Sequence, residues 1–348
     1  MGNTLEQEEN TFYTVQNESF ISNPPLPENM DVRTIVKSGK ASYTVAIPKD
    51  WIERNKLKKG DKLYIEEKGD NELVVSTKYQ ASTVQQKEIV INVDNKEQHC
   101  IHRELVSAYL NPYSIIVLKG KDIPKHLDFI KKEIAGLFAL EIVDESSTKL
   151  VADSFIDIKT VSLDKLTRRI DNITRSMILD TINMTTGDDI HELIVNRDFD
   201  VNRITFLILK ILKTAFTDPS VKQALHITNL EALGYWELQI RIEKIADQAK
   251  RIARILSIVK KKKNADLPGL KKLIERIYQE YCTTMTLYYT KKSECSVMLT
   301  RGEIADSLDA YFLKNKTIEI AQIVAKLKAM LSDVVDIHRL TRNLYASE

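Results

Sequence analysis

The sequence predicts a multidomain chain in three parts: a small β-rich domain near the N-terminus, a small α/β segment on a split βαβ sheet, and an all-α half made of a pair of three-helix bundles. Three observations predict this. Short strand-like runs separated by Gly-containing turns fill residues 31–80. Strand-like and helix-like runs alternate over 85–157, and beyond 160 the apolar period becomes helical and stays so. At 348 residues, 43% hydrophobic and 29% charged, the chain can hold two or three ordinary cores.

Residues 1–30 are polar, lack a period and end in Pro24-Pro25-Leu26-Pro27, which reads as a flexible N-terminal tail. The β-rich domain follows. Arg33–Lys37 is a strand, Ser-Gly-Lys a turn, Tyr43–Ile47 a second strand, and Pro48–Asn55 a short helix with Pro where a first turn tolerates it. Lys62–Glu66 and Glu72–Ser76 complete it, punctuated by turns at Lys59-Gly60-Asp61 and Gly69-Asp70-Asn71. In the α/β segment, Ile89, Ile91 and Val93 alternate as a strand, Glu97–Leu110 is helical and Ile115–Leu118 is a buried strand. A helix over Ile123–Phe138 then leads to a hairpin of Leu140–Asp144 with Lys149–Phe155, giving the order βαβαββ.

The helical half spans 160–346. Leu163, Leu166, Ile170, Ile173, Met177 and Met184 trace one apolar stripe, and Ile242, Ile245, Ala249, Ile252 and Leu256 another. Asp218-Pro219 and Asp266-Leu267-Pro268-Gly269 are the breaks, the second after the run Lys260–Lys263, which suits a helix C-terminus. Six helices are expected, three before Pro268 and three after, as from an internal duplication. Asp180 falls on the first stripe, so it either marks a frayed end or is a buried carboxylate with a partner.

Several function classes find no support in the residues. No apolar run approaches the ~20 residues of a membrane span, and the first residues match neither a secretory signal nor the myristoylation pattern. A cytoplasmic protein without membrane insertion is expected. Three cysteines, Cys100, Cys282 and Cys295, form no CxxC pair, and His99-Cys100-Ile101-His102 lacks a second ligand cluster; it reads as a solvated strand-to-helix junction. A phosphate-cradling glycine loop, a nucleophile elbow and an HExxH pair are all missing, so no enzyme is expected.

Charge is uneven along the chain. The net charge is only +2, yet residues 33–59 hold Arg33, Lys37, Lys40, Lys49, Arg54, Lys56, Lys58 and Lys59 against Asp50 and Glu53. The run from Arg33 to Trp51, with its Ile47-Pro48 step and the turn at Lys59-Gly60-Asp61, resembles the AbrB/MazE/SpoVT swapped-hairpin family. That resemblance implies a homodimer whose interleaved hairpins close one barrel and present basic residues to DNA. Arg33, Lys37 and Lys40 around Gly39 are the expected phosphate contacts, with Lys49 beside them and Arg54 as a candidate base contact. Compared with many members, the loop at Lys40–Thr44 is expected to be longer, and Ile52 and Glu53 stand where basic residues often follow the Ile-Pro step. The alternative is a module that only dimerises the chain.

The segment Arg241-Ile-Glu243-Lys-Ile-Ala-Asp247-Gln-Ala-Lys-Arg-Ile252-Ala resembles the repeated helix signature of PhoU proteins, and the order of modules resembles archaeal-type phosphate-uptake regulators. The resemblance implies a phosphate-responsive transcription regulator that binds DNA. It also implies, as partners, phosphate-transport or two-component signalling proteins; a signalling adaptor without DNA binding is the alternative. Glu243 and Asp247, at i and i+4, would share a divalent or iron cation, although Lys250 and Arg251 could equally neutralise Asp247. In the second repeat, Val335 and Arg339 stand where carboxylates are expected, with Asp333 and Asp336 nearby but out of register.

Overall fold

A computed structural model describes residues 31–40, 42–67, 73–77, 87–262, 265–292 and 300–345. The tail at 1–30, the turn at Gly69-Asp70-Asn71, Cys295 and Lys263 lie outside the described residues. The chain divides into two units, one up to Thr83 and one from Val84 on.

In the first unit, β1 (Val36–Ser38) pairs antiparallel with β2 (Ser42–Thr44), in register from Val36 opposite Thr44 to Ser38 opposite Ser42. Gly39 supplies the positive φ, +78°, that this tight reversal needs. The expected long loop at Lys40–Thr44 is therefore corrected: Ser42–Thr44 is strand, and the reversal lies between Ser38 and Ser42. Helix α1 (Lys49–Arg54) follows, and β3 (Tyr64–Glu67) pairs with β4 (Leu73–Ser76) as a second ribbon. The first two strands are shorter than expected, because Arg33–Ile35 and Val45–Ile47 extend past the ladder. None of the described residues of this unit is buried. Its apolar side chains instead face outward: Ile65 is 68% exposed, Leu73 67% and Tyr43 68%.

The second unit opens with β5 (Glu88–Asn92), α2 (Gln98–Leu110), β6 (Ile115–Lys119), α3 (Ile123–Ala135), β7 (Leu140–Glu145) and β8 (Lys149–Ser154). The sheet order is β5-β6-β8-β7, with β5 and β6 parallel and β8 antiparallel to both its neighbours. Only part of the expected split βαβ is realised. The tight β7–β8 reversal inserts β8 between β6 and β7, so β6–α3–β7 is split while β5–α2–β6 pairs directly. Ile101, Leu105, Tyr109, Ile130 and Leu150 are fully enclosed in this layer. Helix α3 stops at Ala135 rather than Phe138, and Phe138 packs against the helical core instead.

The rest is helical: α4 (Leu163–Met184), α5 (His191–Thr217), α6 (Pro219–Ala224), α7 (Asn229–Lys262), α8 (Leu267–Thr290), α9 (Thr300–Lys314) and α10 (Ile318–Tyr345). The short α6 is the addition to the six expected. It is nucleated by Pro219 in its first turn and by Asp218, whose Oδ1 accepts from the Ser220 amide at 2.9 Å. Helices α4, α5 and α7 pack on one another, as do α8, α9 and α10, and the two trios meet through α7 on α10 and α4 on α8. They share one core, in which Ile242, Ile245, Ala249, Ile252 and Leu256 are fully buried. Gly234 permits the α7–α10 approach, since a Cβ there would lie 2.7 Å from Leu344 Cδ1. Among the described residues, no helix is long and apolar enough to cross a membrane.

The sheet layer and the helices belong to one unit, and Lys210 of α5 lies where they join. It is 4% exposed, with Nζ 4.4 Å from the Tyr109 ring centroid and 3.4 Å from Ser154 Oγ. Burial lowers its pKa to about 8, against the opposing charge of Asp153. The unfolded chain therefore binds more protons between about pH 8 and the ordinary lysine value of 10.5, so Lys210 makes stability rise with pH across that window. Denaturant titrations should show the rise in the parent and its absence in Lys210→Met, with the variant the more stable of the two at neutral pH.

Candidate nucleic-acid interface and carboxylate face

Among the described residues, the hairpin is where two of the proposed phosphate contacts come together. Lys37 sits opposite Tyr43 in the ladder, and the period of two puts both on one face of the ribbon. Lys40 follows Gly39 in the reversal at the hairpin tip. Neither lysine is ion-paired or hydrogen-bonded through its side chain among the described residues, which leaves both ammonium groups open to solvent.

The other three candidates are engaged. Arg33 lies before the ladder, its Nη2 3.0 Å from Asp31 Oδ2. Lys49 Nζ lies 3.4 Å from Glu53 Oε1 along α1. Arg54 Nε donates to the Asp50 carbonyl at 3.3 Å in the last turn. Five residues apart on one helix, Lys49 and Arg54 point about 140° from each other, so α1 divides them between two faces. Asp31 falls outside a charge count that begins at residue 33, and it lowers the effective charge of the strand entry.

The carboxylate face is less exposed than the spacing alone suggests. Glu243 and Asp247 are half-buried on α7, where α5 brings Asp198 against them. Lys250 Nζ bridges Asp198 Oδ2 at 2.6 Å and Asp247 Oδ1 at 2.8 Å, and Arg251 Nε takes Asp247 Oδ2 at 2.5 Å. Burial would raise the Asp247 carboxyl, but hydrogen bonds and charge from Lys250 and Arg251 outweigh it and hold the group below the usual carboxylate range. Glu243 goes the other way: burial, then the charges of Asp247 and Asp198, push it up.

A cation shared by Glu243 and Asp247 does not fit this donor set. Both Asp247 oxygens are paired and the Lys250 ammonium already fills the space between the two aspartates. No group of three or more His, Cys, Asp or Glu arranged to hold a metal occurs among the described residues.

The acids of α10 are used differently. Val335 is 4% exposed in the core, whereas Asp333 Oδ1 and Asp336 Oδ2 each lie 3.0 Å from Arg241 Nη1, tying α10 to α7. Asp180 is the half-buried carboxylate with a partner, paired with Arg197 of α5. The His99–His102 cluster lies in the first turns of α2, just past the strand, where His102 Nδ1 is 2.6 Å from Glu133 Oε2.

A family model described as "Antidote-toxin recognition MazE, bacterial antitoxin" matches residues 36–83. No curated protein and no solved structure gives a significant match to the chain. The matched stretch runs from β1 past β4 and leaves the helical half outside it. The first unit therefore carries a MazE/AbrB-like domain.

Proposed function

We propose that the first unit is one half of a two-chain DNA-binding module and that the chain is a transcription regulator of which the helical unit is the signal-receiving part. One observation carries this reading: the MazE-like unit buries none of its described residues while leaving Tyr43, Ile65 and Leu73 about two-thirds exposed beside a basic hairpin. A segment of this size that encloses nothing needs a second chain to exclude water. Twofold symmetry then doubles Lys37 and Lys40 on the assembly and favours a site with approximate two-fold symmetry. The identity of the signal rests on the PhoU-like run from Arg241 to Ala253, which makes phosphate supply the reading and phosphate-transport or two-component signalling proteins the partners. The protein then works in the cytoplasm.

The adaptor reading, with dimerisation alone, is favoured by the pairing of Arg33 and Lys49 with acids, which weakens the positive field. Binding titrations at several salt concentrations separate the two. If Lys37 and Lys40 each replace a counterion on a phosphate, changing both to Ala weakens binding on every duplex alike and makes the salt dependence shallower by about one unit of slope for each phosphate no longer neutralised. A parent protein without salt-sensitive DNA affinity supports the adaptor.

A further inference from the structure

A cleft of about 550 Å³ opens in the helical unit between the start of α4, the α6–α7 connection and the ends of α8 and α10. That volume lies in the range of small-molecule sites, about 300–1,000 Å³. Its lining is chemically uneven. Four tyrosines from three helices converge on it, Tyr235 of α7, Tyr288 and Tyr289 of α8 and Tyr345 of α10, of the 13 in the chain. Tyr288 holds Tyr289 and Tyr345 edge-on at ring-centroid distances of 5.7 and 6.2 Å.

Three cations from three elements line the same space: Lys159 before α4, Arg168 on α4 and Lys291 at the end of α8. The guanidinium of Arg168 stacks 4.1 Å from the centre of the Tyr289 ring and makes no ion pair among the described residues, so its donors remain available. Lys291, held in the left-handed region at φ +54°, places its ammonium 5.6 Å from the Tyr345 ring centre. The two acids in the lining are committed elsewhere. Tyr235 donates to Asp164, and Glu231 Oε2 accepts the Thr228 amide at 2.8 Å and hydroxyl at 3.0 Å. The cleft thus sets tyrosine rings beside cationic donors, with Arg168 on one face of Tyr289 and Lys291 over Tyr345, while its two carboxylates already accept hydrogen bonds.

We infer that this cleft binds a nucleoside phosphate, with the base against the tyrosine cluster and the phosphate met by Arg168, Lys159 and Lys291. The three cations exceed the two carboxylates of the lining by one, with Glu231 already feeling the Lys291 charge, so an anion answers the excess and a ring covers what the tyrosines leave open. Base–aromatic stacking tolerates any base, so the site selects for the class rather than for one nucleotide. A planar guanidinium can meet a phosphate through two parallel N–H donors, which gives Arg168 the leading role among the three. This inference is independent of whether the first unit binds DNA.

The test is calorimetric titration of the full chain with AMP, GMP, CMP and UMP, and with adenosine and inorganic phosphate as half-ligands. Saturable binding of one nucleotide per chain is expected for at least one of the four, with adenosine and phosphate each weaker by about tenfold or more. Arg168→Ala and Lys291→Ala are each expected to weaken the nucleotide by about tenfold. Arg168→Gln keeps the aliphatic stem and a polar end without the charge if the alanine variant fails to fold, and thermal melting checks each variant. No nucleotide binding at roughly 5 mM, equal binding of phosphate alone, or unchanged affinity in both folded variants overturns the proposal. Nucleotide held instead on the basic hairpin of the first unit gives the last of these results.

Discussion

Light scattering on the full chain at micromolar concentration gives the mass of two chains, and Ile65→Asp with Val75→Asp reduces it to one. The two positions face each other across the β3–β4 ladder, and alternation puts Leu73 on the same side. Ile65 is 68% exposed and Leu73 67%, an unusual display for adjacent large side chains unless something covers them. Covering each such side chain is worth about 1.5–3 kcal/mol, and a carboxylate placed in the covered face reverses the gain. The helical unit has its own core, so its unfolding transition should remain while the dimer dissociates. DNA affinity should fall with the dimer, because a single hairpin presents half the lysines. A monomeric parent, or a dimer that survives the double substitution, would mean that the exposed face is not the interface.

The second large effect is expected at Lys250. Its side chain is 15% exposed and is the shared partner of Asp198, 9% exposed, and Asp247, 19% exposed. Removing it leaves two aspartates next to Glu243 in a half-buried site, and breaking such a pair costs about 3 kcal/mol, most of it from uncompensated charge. Urea titrations of Lys250→Ala should show this drop in stability at neutral pH. Asp198→Ala in the same chain should recover a large part of it, a coupling absent if Lys250 contributes only packing. The pH dependence has a definite sign. Because the folded Asp247 carboxyl titrates below 3.8, it contributes stability above that pH, lost as the pH falls through the folded value. With Lys250 gone, much of that acid-dependent loss should disappear. A variant as stable as the parent at neutral pH would show that water, not Lys250, solvates these carboxylates.

Local features of both sites are readable in the residues. Gly39 announces the hairpin that carries Lys37 and Lys40, and Pro48 the start of α1. The spacing of Asp247 and Arg251 brings them together, since i and i+4 share a helix face. What fails is anything counted within a fixed window or judged from one helix. Asp31 lies outside the stretch whose charges are summed, yet it pairs with Arg33. Glu243 and Asp247 read as a pair on one helix, whereas α5 packs against them and supplies Asp198. The start of α2 is legible to within one residue, Glu97 in the sequence and Gln98 in the structure, but the pairing of His102 with Glu133 of α3 is not.

By itself the sequence determined most of the elements and their order, α6 excepted. It set the ribbons of the first unit, the βαβαββ run, and helices whose buried stripes include Ile170, Met177 and Ile242 to Leu256. Backbone geometry makes such periods local, so a few residues suffice to show them. Tertiary structure alone decided which helix faces meet. Lys250 reaches Asp198 across 52 positions and Arg241 reaches Asp333 across 92, and neither pairing follows from any spacing along the chain. The cleft with Tyr235, Tyr289, Tyr345 and Arg168 likewise exists only because α4, α7, α8 and α10 end together. Where helices cross and how each is rotated is set by packing of the whole core, a sum of many small attractions that no single segment encodes.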